Sequence, residues 1–268
     1  MNKIIGFIGS GNMGNAMIGG IVSSKLVPSD NIIVADLNEK QLAKVKETYG
    51  VNTTTDNLDV AKKADIIVLS IKPHIYPIVI EGIKNDVKED AIIVVIAAGK
   101  NIEDTQEAFG RKIKVVKVMP NTPAMVGEGM AAINPSKEVS KEELEEIISI
   151  FESFGEAEVV NGALMDAVTA VSGSSPAYVY MFIEALADGA VLEGMPRDMA
   201  YKFAAQAVLG SAKMVLETGL HPGKLKDNVC SPGGTTIEAV ATLEEKGFRH
   251  AVMAAVKKCA DKSREMSK

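Results

Sequence analysis

Near the amino end, Gly9-Ser10-Gly11-Asn12-Met13-Gly14 follows an apolar run at residues 4–8 and leads straight into a helical period, Met13, Met17 and Ile21. Few folds accept such a junction. A strand that ends on three glycines spaced this way, then restarts at once as a helix, is the entry to a βαβ unit of a doubly wound sheet. Each glycine has its own physical reason. The first permits the tight turn, the second lets a phosphate approach the backbone, and the third lets helix and strand pack closely. Amides at the helix start then face the phosphates. Three glycines alone would also make an unliganded turn. With a strand before and a helix after, Gly9, Ser10, Gly11, Asn12, Met13 and Gly14 are the expected floor of a dinucleotide site.

The rest of the first half agrees. Runs nearly continuous in Ile and Val occur at 31–35, 65–71, 92–97 and 113–118, the pattern of strands buried on both faces of a parallel sheet. Helical periods alternate with them, for example Leu42, Val45 and Tyr49. Weaker strands are expected at 130–133 and 158–160. Between these lies a helix that a Ser140–Glu143 capping box starts, that Leu144, Ile147, Ile148 and Phe151 line, and that Gly155 stops. Past Gly162 the strand patterns cease, and helical stretches follow at 164–171, 176–194, 197–218, 235–246 and 248–262. The expected architecture is an α/β Rossmann domain with a doubly wound, mainly parallel sheet over residues 1–161, and an all-α domain over 162–268. Ala204, Ala205, Ala207, Val208 and Leu209 spread over more than one helix face. Such a helix is either central in a bundle or buried against another subunit; in one small domain the second is favoured, so a homo-oligomer is expected.

Composition removes other classes. The 268 residues are 47% hydrophobic and 24% charged, with net charge −6. An acidic balance argues against a nucleic-acid partner. The longest apolar run, 91–98, is too short for a membrane span. One Lys and an early glycine turn do not make a signal peptide, and the two cysteines, Cys230 and Cys259, fit free thiols in a reducing cytoplasm. His74, His221 and His250 are scattered, so no metal site is expected.

Three further loops fall at strand ends, where such sheets bind ligands. Ser70-Ile71-Lys72-Pro73-His74 and Met119-Pro120-Asn121-Thr122-Pro123 are stiffened by proline, and Ala97-Ala98-Gly99 leaves room for a flat ring. Each is also an ordinary turn; their shared position suggests the nicotinamide side. Asp36 lies 22 residues after Gly14, at the end of the second strand. A carboxylate there accepts from the ribose hydroxyls of NADH and repels the 2′-phosphate of NADPH. The same residue also suits a cap for the next helix, and Lys40 is near enough to meet a phosphate. NADH or NADPH is the expected cofactor, with Asp36 favouring NADH. Farther on, Ser231-Pro232-Gly233-Gly234-Thr235-Thr236-Ile237 sets a proline, two glycines and three hydroxyls before a helix. That is either a helix-start turn or a cradle for a small anion.

Two stretches, Ser172-Gly-Ser-Ser-Pro-Ala-Tyr178 and Leu225-Lys-Asp-Asn-Val-Cys-Ser-Pro-Gly-Gly-Thr-Thr-Ile237, join GFIGSGNMG, LSIKPH and MPNTP in one order. Together they resemble the pyrroline-5-carboxylate reductases across residues 6–264. The resemblance implies a Rossmann domain, a helical dimerisation domain, and dimers that assemble into rings, commonly decamers. One subunit's helical domain would complete the other's active site. It implies reduction of Δ1-pyrroline-5-carboxylate to L-proline by NAD(P)H, the last step of proline biosynthesis. Carried over by residue, Thr236 would meet the ring nitrogen, and Ser231 with the amides of Gly234 and Thr235 would grip the carboxylate, Gly233 giving the backbone its freedom. Asn57 matches a position near the adenosine ribose, and Ile71, Lys72, Pro73, Ala98 and Asn121 would line the cofactor. The chain departs from the family at Ser175, where glycine is usual, and at Thr235, alanine in some members. It departs again at Asp36, where relatives accepting NADPH often carry serine or another small polar residue.

A cyclic imine is already electrophilic, so its reduction needs positioning more than a strong acid. Thr236 is expected to orient the ring by a hydrogen bond. His221 reads as a surface helix-end residue, with contact to the substrate region as the alternative, Tyr178 as a core or interface residue, and Cys230 as a small buried one. A β-hydroxyacid dehydrogenase would share the architecture but would need a helix lysine, and 172–188 contains none. A non-catalytic dinucleotide-binding regulator would have no use for the SPGGTT cradle.

Overall fold

The computed structural model describes residues 1–267. It divides into two compact units, Met1–Ser174 with the chain end from Cys259, and Ser175–Lys258. The first unit holds one sheet of β1 (Ile5–Ile8), β2 (Ile32–Ala35), β3 (Asn52–Thr54), β4 (Ile66–Leu69), β5 (Ile92–Val95), β6 (Lys114–Met119), β7 (Gly129–Pro135) and β8 (Gly155–Val159). Their order is β3-β2-β1-β4-β5-β6-β7-β8. β1 to β6 run parallel. β7 is antiparallel to β6, and β8 parallel to β7. The winding reverses between β1 and β4, the switch point at which doubly wound sheets open a crevice.

The Ile/Val runs are buried on both faces because helices cover both. On one face Ile5, Phe7 and Val68 pack with α1 (Asn12–Ser24), α2 (Glu39–Tyr49) and α6 (Lys141–Glu152). On the other, Ile8, Ile67 and Ile93 pack with α3 (Asn57–Lys63), α4 (Tyr76–Ile83) and α5 (Ile102–Phe109). The Ser140–Glu143 capping box starts α6 as expected. Gly155 does not stop that helix, which ends at Glu152. It opens β8 instead, beside Gly129, where a Cβ would fall 2.1 Å from a carbonyl oxygen. β3 escapes sequence reading because Asn52-Thr53-Thr54 has no apolar alternation; it is a half-exposed edge strand paired with β2.

The sequence divides the chain at 161/162, whereas the compact units divide at Ser174/Ser175. The intervening residues form α7 (Met165–Val168) and a π-turn, Thr169–Gly173. Met165 packs on Met119 and Ala132 of the sheet, and the Ser263 hydroxyl donates to Asp166 at 2.6 Å. The second unit contains α8 (Ser175–Leu192), α9 (Arg197–Thr218), α10 (Pro222–Val229), α11 (Thr235–Glu245) and α12 (Phe248–Met266) up to Lys258. α10 lies outside the helical stretches expected from the sequence; His221 caps it and Pro222 occupies its first turn. Among the described residues no strand follows β8, and no helix is long and apolar enough to cross a membrane.

Candidate functional site

The glycine turn closes on the ends of three strands. The Gly9 N–H donates to the Ala35 carbonyl at 2.8 Å, and Gly9 has φ +97°. A Cβ there would stand 2.6 Å from Ser70 O, and one on Gly14 would stand 2.7 Å from Gly9 O. A Cβ on Gly11 would meet nothing within 4 Å, because Gly11 faces the open cleft. α1 begins behind Gly11 with no side-chain cap and no acidic residue in its first turn. Its leading amides therefore remain available to an anion. This is the arrangement a dinucleotide pyrophosphate requires, and the residues fit it.

Asp36 is tied into the same turn. One carboxylate oxygen accepts from both the Ser10 N–H and the Ser10 hydroxyl at 2.7 Å. The other accepts from the Asn38 N–H at 2.9 Å. Asn38, not Asp36, caps α2, and the Gln41 side chain donates to Ser10 O at 3.0 Å. Partial burial raises the Asp36 pKa, but the hydrogen bonds from Asn38, Ser10 and Leu37 outweigh it and hold the carboxyl below its usual value.

A cleft of about 770 Å³ joins Gly9, Gly11, Asn12 and Met13 to Asp36, to Ile71, Lys72 and Pro73, and to Ala97 and Ala98. Two residues assigned to the cofactor by resemblance lie outside that lining. Asn121 is buried; its side chain accepts from the Met130 N–H at 2.9 Å and donates to Ser172 O at 3.3 Å. Its flanking residues Pro120 and Thr122 reach the cleft instead. Asn57 opens α3 behind its cap, Asp56.

The SPGGTT segment belongs to the second unit. The Gly234 N–H donates to Ser231 O at 3.0 Å, closing a turn in which Gly233 has φ +65°, a conformation glycine adopts without strain. The Ser231 hydroxyl lies against Gly234, where a Cβ would fall 2.3 Å from it. α11 then starts at Thr235, behind Gly234, with no side-chain cap. Ser231, Gly233 and Thr235 are exposed and Thr236 half-buried. The result is an open helix start with the hydroxyls of Ser231, Thr235 and Thr236 at or beside it.

The remaining sequence candidates resolve as structural residues. His221 Nδ1 accepts from the Gly223 N–H at 3.0 Å, which makes it a helix cap. Cys230 is a free, half-buried thiol at the end of α10. Ser175 begins α8, and Tyr178 is half-buried in its first turn. No group of three His, Cys, Asp or Glu fit to hold a metal occurs among the described residues. The motifs pass over Tyr76 and Lys117, which stand behind the cleft. The signal for Lys117 is a single lysine within the apolar stretch Val115-Val116-Lys117-Val118-Met119.

A mainly parallel sheet with an uncapped glycine turn at its switch point is a dinucleotide-binding domain of the Rossmann type. Residues 162–266 match the family "Pyrroline-5-carboxylate reductase dimerisation", and residues 4–99 match "NADP oxidoreductase coenzyme F420-dependent". Over 268 residues the chain is 52% identical to the pyrroline-5-carboxylate reductase of Escherichia coli K12, covering 100% of both. It is 43% identical to that of Methanosarcina acetivorans, covering 100% of this chain and 99% of the other. It also superposes on the crystal structure of Plasmodium falciparum pyrroline carboxylate reductase with NADP bound, with TM-score 0.91 and 34% identity, over 100% and 99% of the two chains. This chain belongs to the pyrroline-5-carboxylate reductase family.

Proposed function

We infer that this chain reduces Δ1-pyrroline-5-carboxylate to L-proline with NAD(P)H. The carrying observation is full-length identity to such reductases in a chain that keeps both an open dinucleotide turn and the SPGGTT turn. A bound NAD(P)H would supply the hydride for the new C–H bond at the imine carbon, with a proton completing the ring nitrogen. The protein itself holds and orients. Ser231 and the amides of Gly234 and Thr235, spaced by Gly233, bind the substrate carboxylate at the start of α11, where the helix dipole favours negative charge. Thr236 hydrogen-bonds the ring nitrogen and sets its direction. Gly9, Gly11, Asn12, Met13 and Gly14 seat the pyrophosphate. Asp36 attends the adenosine ribose, with Asn57 outside the cleft lining at the start of α3, and Ile71, Lys72, Pro73 and Ala98 line the remaining cofactor surface, with Asn121 buried behind it.

Asp36 biases the enzyme to NADH, because its carboxylate is ionised and faces the cleft. A partner's helical unit completes each site in a dimer, and dimers close further into a ring, a decamer by family analogy. Two free thiols suit a cytoplasmic setting. The test is initial rates with pyrroline-5-carboxylate and each coenzyme in parallel. Rapid oxidation, faster with NADH, supports the whole reading. Faster NADPH oxidation overturns the Asp36 bias alone. No oxidation of either, by folded protein that binds coenzyme, overturns the reaction.

A further inference from the structure

β5 runs out into the cleft, which Ile96, Ala97 and Ala98 help to line. Ala97 is held on both sides of its backbone. Its N–H donates to the Tyr76 hydroxyl at 3.4 Å, and its carbonyl accepts from the Lys117 ammonium. The Tyr76 hydroxyl donates in turn to Leu69 O at 2.6 Å, on the last residue of β4. Two side chains thus lace the ends of β4, β5 and β6 together, directly behind the wall that Ile71 and Ala98 present. Both are buried, Tyr76 at 2% exposure and Lys117 at 5%.

That placement is expensive for a lysine. A buried ammonium loses its hydration, and burial pulls Lys117 down to about 7 against the opposing field of Asp166. The surrounding strand residues are aliphatic and would accept Leu or Met at the same place. The group that receives the hydrogen bond of this amine is the Ala97 carbonyl. Lys117 also borders a hollow of about 470 Å³ with Asn134, Asp166, Thr169 and Ser263. There is room beside it for a larger cation.

We propose that Lys117 is a positioning residue for the reduction: its side-chain nitrogen, as a donor, fixes the Ala97 carbonyl, so that Ala97 and Ala98 present a rigid wall to the nicotinamide end of the cofactor. The proposal rests on reading the cleft as the NAD(P)H site. Hydride transfer is sensitive to displacements of the order of 1 Å, so a loosened wall lowers turnover without touching the pyrophosphate seat at the other end.

The full-length protein and its Lys117→Met and Lys117→Arg variants separate these effects. Steady-state kcat and KM for the coenzyme are measured alongside the ADP-ribose dissociation constant by calorimetry. ADP-ribose carries the adenosine and pyrophosphate but no nicotinamide. Lys117→Met is expected to lower kcat/KM for coenzyme about tenfold and leave ADP-ribose affinity within about twofold. Lys117→Arg is expected to recover most of the loss, because the hollow admits a guanidinium. Unchanged kinetics in Lys117→Met overturns the proposal. So does an equal loss of ADP-ribose affinity, and so does Lys117→Arg as impaired as Lys117→Met. Should Lys117→Met not fold, Lys117→Gln, one bond shorter and still polar, is read by the same criteria. A wild-type protein that binds neither ADP-ribose nor coenzyme overturns the cofactor reading itself, before any variant is made.

Discussion

Asp36 combines a structural tie with a place on the wall of the cleft. Its carboxylate secures Ser10 and Asn38 while bordering the cleft. Asp36→Ser should therefore weaken binding of both coenzymes yet move their kcat/KM ratio toward NADPH. Competing-rate assays with the two coenzymes check this, and an unmoved ratio leaves Asp36 a structural tie only. Thr236 carries no such double duty, being half-buried in the first turn of α11. Thr236→Ala should lower kcat about tenfold or more, with coenzyme affinity intact by fluorescence titration. Lys117 predicts a pH signature. A lysine in the unfolded chain titrates near 10.4, whereas the folded Lys117 titrates at about 7. Between those values the unfolded chain holds more protons, so stability rises with pH. Asp166, Lys100 and Glu103 border the same hollow, and Arg264 approaches Asp166; all of them persist in Lys117→Met. Urea midpoints of wild type and Lys117→Met should therefore draw together as pH rises from about 7 to about 10, with a constant gap below. A gap that ignores pH would mean the ammonium keeps its hydration.

At the scale of elements, the glycine turn was fully legible because its spacing is forced by sterics, while its neighbours were legible only in part. Ile/Val runs announced the central strands, since both faces of each are buried. β3 stayed hidden because an edge strand of Asn and Thr looks like a loop. α10 stayed hidden because its capping depends on His221 lone-pair geometry, not on a periodic stripe. Site residues divide in the same way. The SPGGTT turn and Asp36 could be read from type and position. The engaged side chain of Asn121 could not, because its partners, Met130 and Ser172, come from distant segments. The three glycines should themselves behave differently. Gly14→Ala drives a methyl against Gly9 O and should cost about 1–3 kcal/mol of stability. Gly11→Ala points its methyl into open space, so it should leave the melting temperature unchanged and raise the coenzyme KM. Thermal melts beside coenzyme titrations distinguish the two; equal destabilisation would show that Gly11 is not facing a ligand space.

Taken whole, the chain is unequally finished. The first unit closes two large aliphatic clusters over its sheet. The second buries little more than Ala187, Ala200 and Ala204 between α8 and α9. It leaves Met181, Leu192, Phe203 at 62% and Leu216 at 81% in the open. Apolar surface on that scale, around helices with so small a core, exceeds what a stable monomer exposes. The same helices lie within the residues matched as a reductase dimerisation family. In a two-fold dimer each side chain of the shared face is counted twice. Removing one Phe and one Met from contact at about 1.5–3 kcal/mol each therefore acts on both copies. Met181→Glu with Phe203→Glu should reduce the mass seen by light scattering to that of one chain and lower the melting temperature. It should also abolish turnover while Rossmann-unit binding of ADP-ribose persists, if a partner's helical unit completes the site as proposed above. A dimer of unchanged mass would remove this face of α8 and α9 from the interface. A fully active monomer would overturn the requirement for a second subunit.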